Sequence, residues 1–239
     1  MHETSNNKKD NILKHIGIAA VTAEGAAITY KYICSASEQV FGKHTHPEIS
    51  IHGFSFSEHV NFGPERLKKW QDLLVRSINK LEATGAQLVI CPSNTPHEVY
   101  EQVCEKINIP WLNIADEVAK VAEQKQYKKI LLLGTQFTFN SAFYPNAFEH
   151  LAAEIVIPTD EEQVLVHSMI VDELVSGVVS ENAKQAMQGL LSKYAQQGLD
   201  SVILGCTELP LIIDEALTHM AILDSTQILG DAAIKAATN

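Results

Sequence analysis

Short, continuous apolar runs alternate along the chain with segments of helical periodicity, and this alternation constrains the fold more than any other feature. The runs Gln87–Cys91, Lys129–Leu133 and Ser201–Leu204 have no alternating polar face. Between such runs, Pro64–Thr84 carries apolar residues at three- and four-residue steps, which is the period of an amphipathic helix. Strands that are apolar on both faces are typical of parallel sheets covered by helices. The sequence therefore predicts an α/β fold with mainly parallel sheets flanked by helices.

The same two signals predict the remaining elements. Further strands are expected at His15–Val21, Ile49–Phe54, Ile109–Asn113, Glu154–Ile157 and Ala221–Asp224. Further helices are expected at His97–Lys106, Ala115–Gln126, Val164–Ser176, Asn182–Gln196 and the C-terminus. Residues Met1 to about Asn11 are polar, and we expect them to be disordered.

Two distant segments, TGAQLVICPSNTPHEVY and GLDSVILGCTELPLII, share a pattern. In each, a glycine precedes an apolar strand, and a small nucleophilic residue with two polar residues follows it. Ser93-Asn94-Thr95 thus corresponds to Cys206-Thr207-Glu208. Unrelated strand–helix units share the glycine and the strand, whereas the polar triplet is a more specific feature. Because ligands bind beyond the carboxyl ends of parallel strands, two facing lobes would place Ser93 and Cys206 across one cleft.

The residues of the two triplets suggest acid–base chemistry and anion binding. We expect Cys206 to begin a helix whose N-terminus favours the thiolate, although a cysteine at a strand end is also often a small buried hydrophobe. Glu208 is placed to relay a proton or to accept substrate N–H groups. Asn94 and Thr95 occupy a strand-to-helix turn, which suits a carboxylate but also suits simple capping of the helix at His97.

Composition excludes several classes of partner. The chain has 18 Lys and Arg against 29 Asp and Glu, a formal net charge of −11, so it repels nucleic-acid phosphates and anionic bilayer surfaces. No apolar run approaches the roughly 20 residues needed to span a membrane, and the polar N-terminus predicts no secretory signal. The cysteines lack CxxC spacing, which favours a reduced cytoplasmic protein; they are Cys34, Cys91, Cys104 and Cys206.

With these motifs in view, the chain resembles the aspartate/glutamate racemase family. The resemblance is carried by GAQLVICPSNTPHEV, LLLGTQFTFNSAFY, PTDEEQ with DELVSG downstream, and LGCTELPL, and it extends from about His15 to Ala237. HIGIAAVTAEGAAITYKYI stands where the family has its glycine-rich first loop. The resemblance implies two similar α/β lobes, 1–112 plus 216–239 and 113–215, with the active site in the cleft between them.

The resemblance implies a cofactor-independent racemase or epimerase that uses no pyridoxal phosphate and acts on an acidic amino acid such as aspartate or glutamate. One residue removes the α-proton, and a residue on the opposite face returns a proton. Cys206 matches one of this pair, and Ser93 stands where the family usually has the other cysteine. The implied partners are a small carboxylate or amino-acid substrate and a second copy of the chain in a homodimer.

The resemblance also implies a set of substrate-binding residues. They match the carboxylate-binding turns of both lobes, the GT…Y block and the acidic residue of the GCTE motif: Asn94, Thr95, Thr135, Tyr144, Thr207 and Glu208. A branch specific for L-configured acidic amino acids carries a hydroxyl residue at the first catalytic position and resembles the stretch Ser55–Glu58. The chain departs from the family in lacking a PDRT-like arginine after His46-Pro47, and Leu229 replaces the usual C-terminal histidine.

The serine changes the expected mechanism. An alcohol is a far weaker acid than a thiol, so we predict that Cys206 abstracts the α-proton readily and that Ser93 acts poorly unless a relay such as His97 or Glu208 helps it. Cys91, which lies two residues before Ser93, is an alternative residue for the first face.

Other functions stay open at this point. A decarboxylase of substituted malonates or an isomerase of maleate on the same scaffold would use Cys206 alone, and a catalytically weakened carboxylate-binding protein is a further alternative. A metal site would rest on histidines near the second strand, which are His44, His46, His52 and His59. Gly53-x-Ser55-x-Ser57 only half-matches a nucleophile elbow, which disfavours a serine hydrolase.

Overall fold

A computed structural model describes residues 13–60, 63 and 65–238, so the predicted disorder of Met1–Asn11 lies outside the described residues. Within the described residues, all strand pairing is parallel and forms two sheets. The first has the order β2-β1-β3, and the second has the order β5-β4-β6-β7. The strands are β1 Ile16–Ala20, β2 Ile49–Gly53, β3 Leu88–Ile90, β4 Lys129–Leu133, β5 Glu154–Val156, β6 Ser201–Leu204 and β7 Ala221–Asp224. The predicted α/β fold is confirmed.

Helices connect the strands and cover both sheets. The α-helices are α1 Ala23–Phe41, α2 Phe56–His59, α3 Arg66–Ala83, α4 Tyr100–Cys104, α5 Ile114–Lys125, α6 Gln136–Phe139, α7 Phe143–Phe148, α8 Asp160–Ser168, α9 Glu181–Gln196 and α10 Ser225–Ala237. Three short 3₁₀ segments and one π-helical turn complete the described helices: 3₁₀ at Thr95–Val99, Leu174–Ser176 and Leu209–Leu211, and π at Met169–Glu173.

Local sequence explains where the helices begin and which face they bury. Thr22 caps α1 by accepting a hydrogen bond from the Gly25 N–H, and α3 buries an apolar stripe that includes Trp70, Leu74 and Ile78. Gly85, with φ of 100°, follows α3 in a conformation that glycine adopts without steric cost. The chain can therefore reverse directly into β3.

One continuous core joins the two sheets. It contains Ile18 of the first sheet and Leu132 of the second, together with Val118 of α5 and Leu229 of α10. The C-terminal segment serves both lobes, because β7 pairs with β6 while α10 packs against α1, α5 and β3. The lobe boundaries stay a prediction. Residues 216–239 were assigned to the first lobe, whereas β7 within that range forms part of the second sheet.

The structure differs from the sequence-based expectations at three connections. Ile109–Asn113 forms only a single bridge, between Trp111 and Val89, and not a strand. The helix expected from His97 begins as a 3₁₀ turn with Pro96 at its start, where the missing N–H of proline is tolerated. The helix expected from Val164 begins earlier, because Thr159 and Glu162 form a capping box.

Candidate active site

The ends of β3 and β6 meet at Gly25, in the first turn of α1. A methyl group placed on Gly25 would come within 2.8 Å of the Pro92 carbonyl oxygen and 3.2 Å of Thr207 Cγ2. Pro92 precedes Ser93, and Thr207 follows Cys206. Only glycine permits this close approach, so the two polar triplets flank a single point of the structure. Sequence reasoning did not single out Gly25, although TAEGAA after the first strand was the available signal.

The end of β4 lies beside the end of β6. Their last residues, Leu133 and Leu204, are partners in the parallel pairing, so Thr135 follows β4 at the level where Cys206 follows β6. A methyl group on Gly205 would come within 2.7 Å of the Leu133 carbonyl oxygen. Thr135 is partly exposed and precedes α6 without capping it through its side chain. Its hydroxyl therefore stays available near the Cys206 turn.

The Cys206 thiol donates a hydrogen bond to Glu208 Oε2, with 2.9 Å between sulfur and oxygen. Burial raises the pKa of the thiol well above its ordinary value, and the Glu208 charge and hydrogen bond raise it further. The backbone N–H groups of Thr207 and Glu208 act in the opposite direction, because they stabilise the thiolate. The predicted preference for thiolate was wrong for the resting state, because burial and the Glu208 carboxylate outweigh these backbone N–H groups. The α-helix expected to begin at Cys206 was also wrong, since a turn and a three-residue 3₁₀ segment follow it.

Ser93 is partly exposed, and its hydroxyl has no hydrogen bond to another described residue. His97 does not reach that hydroxyl: its Nδ1 lies 3.0 Å from the Ser93 carbonyl oxygen and 3.2 Å from that of Asn94. Burial lowers the pKa of His97 to about 4, so its ring is neutral at physiological pH. His97 therefore holds the backbone of this turn, and among the described residues it makes no hydrogen bond through which it could take a proton from the Ser93 hydroxyl.

Asn94 is buried, and its side chain does not cap the helix that follows. Its Oδ1 accepts a hydrogen bond from the Tyr144 hydroxyl at 2.7 Å. Tyr144 is itself fully buried, so its phenol holds Asn94 in place and has no surface for a ligand. Thr95, by contrast, is partly exposed at the start of the 3₁₀ turn. Thr207 and Glu208 of the second triplet are also partly exposed.

Cys91 is not placed for the first-face role. It is fully buried, and it belongs to the core under α3 that also contains Trp70 and Val89. Burial raises the pKa of its thiol to about 12. The partly exposed Ser93 is thus the better-placed candidate at this strand end.

The histidines considered for a metal site lie on β2 or within a few residues of it. Within the described ranges, no three His, Cys, Asp or Glu side chains are grouped so as to hold a metal ion. His52 instead bonds Ser77 Oγ through Nδ1 at 2.8 Å and Lys80 Nζ through Nε2 at 3.2 Å. A groove of about 840 Å³, lined by residues that include Arg66 and His97, contains none of the eight predicted site residues.

The sequence matches the profile of Asp/Glu/Hydantoin racemases over residues 19–233. The chain belongs to that family. The crystal structure of an aspartate racemase homologue from Pyrococcus horikoshii is similar with a TM-score of 0.85 and 34% identity, covering 95% of this chain and 100% of that chain. A candidate Asp/Glu racemase from Yersinia pestis has a TM-score of 0.88 and 26% identity, with the same coverage of 95% and 100%.

A broad specificity amino-acid racemase of Bacillus subtilis is 28% identical over 158 residues, which are 65% of this chain and 66% of that protein. The match thus spans slightly less than two-thirds of that relative's length. The relatives that are named racemases are isomerases. Among the described residues, no helix combines the length and apolar character that a membrane crossing requires.

Proposed function

We propose that this chain is a cofactor-independent amino-acid racemase in which Cys206 and Ser93 act on opposite faces of the substrate α-carbon. The observation that carries the proposal is the approach of Pro92 and Thr207 to Gly25, which brings the two triplets together. A racemase needs a proton acceptor on one face and a proton donor on the other. The meeting of two strand ends at one point supports that arrangement.

The proton path follows from the resting state of the thiol. Glu208 accepts the Cys206 proton along their 2.9 Å hydrogen bond, and the sulfur then removes the α-proton of the substrate. The carbon is left as a planar carbanion conjugated with the carboxylate. Ser93 donates its hydroxyl proton to the opposite face, and water restores the proton of Ser93 and removes that of Glu208. In the reverse direction Ser93 must act as the base, which is the slower step because an alcohol is a weak acid.

The α-carboxylate is proposed to bind between the two turns. Asn94, Thr95, Thr135 and Thr207 provide amide and hydroxyl donors there, and Tyr144 acts indirectly through Asn94. The proposal of aspartate or glutamate as substrate is supported by the racemase relatives and by the family to which the chain belongs. A homodimer in the cytoplasm completes the proposal.

The experiment incubates purified protein, without added cofactor, with each enantiomer of aspartate, glutamate and alanine in D₂O. The expected result is inversion and α-deuteration of an acidic amino acid, measured by chiral chromatography and proton NMR. The Cys206→Ala variant is the control, because a contaminating racemase would stay active in that preparation. Absence of both deuteration and inversion in the wild type would overturn the proposal.

A second candidate is decarboxylation or isomerisation of a small dicarboxylate by Cys206 alone. The specific observation in its favour is that the Cys206 thiol is protonated at rest and so carries a proton, whereas the Ser93 hydroxyl has no hydrogen-bond partner among the described residues. Protonation of an enediolate from one face requires one acid only. Release of CO₂ from substituted malonates, or conversion of maleate, with no amino-acid deuteration would favour this candidate. Binding of such acids without turnover would indicate a carboxylate-binding protein.

A further inference from the structure

One hydroxyl connects the strand ends that carry Ser93 and Cys206. Ser225, the first residue of α10, is fully buried and donates a hydrogen bond to the Leu204 carbonyl oxygen at 2.7 Å. The same hydroxyl accepts a hydrogen bond from Asn94 Nδ2 at 3.1 Å. Leu204 is the last residue of β6, two residues before Cys206, and Asn94 directly follows Ser93. Ser225 therefore contacts both sides of the candidate site.

The hydrogen positions in this series of hydrogen bonds follow from which groups can donate and which can only accept. The Leu204 carbonyl can only accept, so the single hydroxyl hydrogen of Ser225 is used there. The Ser225 oxygen can then only accept from Asn94, which requires the NH₂ group of the amide, and not its oxygen, to face Ser225. The amide oxygen consequently faces Tyr144, whose hydroxyl donates to it at 2.7 Å.

Tyr144 alone does not fix this orientation. A phenol hydroxyl can donate to an amide oxygen or accept from an amide NH₂, so either orientation of Asn94 would satisfy Tyr144. The reversed amide would, however, set its oxygen against the Ser225 oxygen, whose only hydrogen is committed to Leu204. The reversed orientation would thus bring two acceptors together in a buried site, which is costly.

We propose that Ser225 is a positioning residue that sets the Asn94 amide for carboxylate binding. With the amide held in this orientation, one Nδ2 hydrogen bonds Ser225 and the second is available for the α-carboxylate of the substrate. In the reversed orientation the amide oxygen would face that carboxylate and repel it. This inference rests on the proposed function, and neither the family match nor the relatives assign a role to Ser225.

The experiment compares steady-state constants of Ser225→Ala with those of a matched control, Ser201→Ala. Ser201 is an equally buried serine at the opposite end of β6, where its hydroxyl bonds Asp200. We expect Ser225→Ala to raise KM by about tenfold, the effect of losing one well-aligned hydrogen bond to a charged group, with a smaller change in kcat. Ser201→Ala should leave both constants within about twofold of the wild type.

A double-mutant comparison separates positioning from general loosening of the fold. If Ser225 acts through the amide, adding Ser225→Ala to Asn94→Ala should not raise KM further. Additive effects would overturn the inference. Tyr144→Phe should raise KM less than Ser225→Ala, because the Ser225 contact still fixes the amide, and equal effects would also count against it. If Ser225→Ala fails to fold, the near-isosteric Ser225→Cys, a weaker donor, should give an intermediate KM, and a wild-type KM would overturn the inference.

Failure of the two proposals can be told apart. An active wild type with an unchanged KM in Ser225→Ala contradicts the positioning role and leaves the racemase proposal intact. A wild type that neither deuterates nor inverts any acidic amino acid overturns the racemase proposal, and the inference with it.

Discussion

The two strand-end triplets are similar in sequence pattern and differ in how their reactive side chains are held. At the end of β6, the Cys206 thiol is bonded to a carboxylate two residues away. At the end of β3, the Ser93 hydroxyl has no described partner, and the nearby His97 ring is neutral and bonded to backbone carbonyls.

The two strand ends thus share a sequence pattern but differ in the hydrogen bonding of the side chains to which we assign the proton transfers. In the proposed mechanism, Glu208 accepts the proton of the Cys206 thiol, whose pKa is raised. In the same mechanism, Ser93 exchanges protons with water or with the substrate itself. We therefore expect one strong and one weak acid–base group in a single site.

The largest effect is expected from removal of the thiol. Cys206→Ala should lower α-proton exchange of both enantiomers by about 10³-fold or more, since general acid–base groups contribute about 10²–10⁴-fold. Cys91→Ala is the matched control, because Cys91 is buried in the core and is expected to keep its rate while losing about 1 kcal/mol of stability. An active Cys206→Ala variant would remove the thiol from the mechanism.

Loss of the neighbouring carboxylate should have the next largest effect. Glu208→Gln removes the negative charge that helps to raise the Cys206 pKa, so that pKa should fall towards its ordinary value while burial still holds it above. The rate should nevertheless drop about 10²-fold, because the amide cannot accept the thiol proton. Thiolate absorbance measured against pH, together with the exchange rate, checks both statements. A Cys206 pKa in Glu208→Gln that is equal to or higher than the wild-type value would contradict the assigned electrostatics.

A thiol on the weaker side should reduce the asymmetry. We expect Ser93→Cys to raise the slower of the two enantiomer exchange rates by about tenfold, because a thiol is much more easily deprotonated than an alcohol. Ser93→Ala should lower the same rate and leave the faster one within a few-fold of the wild type. A Ser93→Cys variant that speeds both enantiomers equally would show that Ser93 does not face one side of the substrate.

His97 should affect stability more than rate. Its pKa is lowered from the ordinary 6.5 to about 4, so the unfolded chain binds a proton between these values while the folded chain does not. The contribution of the neutral His97 to the free energy of unfolding is fully present above about pH 6.5, and about 3 kcal/mol of it is lost as the pH falls to about 4. Urea unfolding of wild type and His97→Gln across this range should show a steeper loss in the wild type. Parallel curves would contradict the buried, neutral histidine.

The sequence was sufficient for the elements whose signals are local. β4 and β6 begin and end where their apolar runs do, because a buried parallel strand needs apolar residues on both faces and Gly134 or Gly205 follows each. The position of Asn94 at a strand-to-helix turn was predictable for the same reason.

Tertiary contacts could not be predicted from spacing. The bonds of Asn94 to Tyr144 and Ser225 join residues far apart in the chain, and no local pattern encodes them. The pKa of Cys206 depends on burial and on the direction of the Glu208 side chain, which spacing alone did not determine. The available signal for Ser225 was the polar run Asp224-Ser225-Thr226, which begins at the last residue of β7.

The most direct test follows α-deuterium uptake by NMR for each pure enantiomer of the preferred acidic amino acid, with inversion measured in the same samples. The account predicts uptake from both enantiomers at unequal initial rates, with the faster one being the enantiomer whose α-hydrogen faces Cys206. Equal initial rates, or uptake that persists in Cys206→Ala, would contradict a single site with a thiol on one face and a hydroxyl on the other.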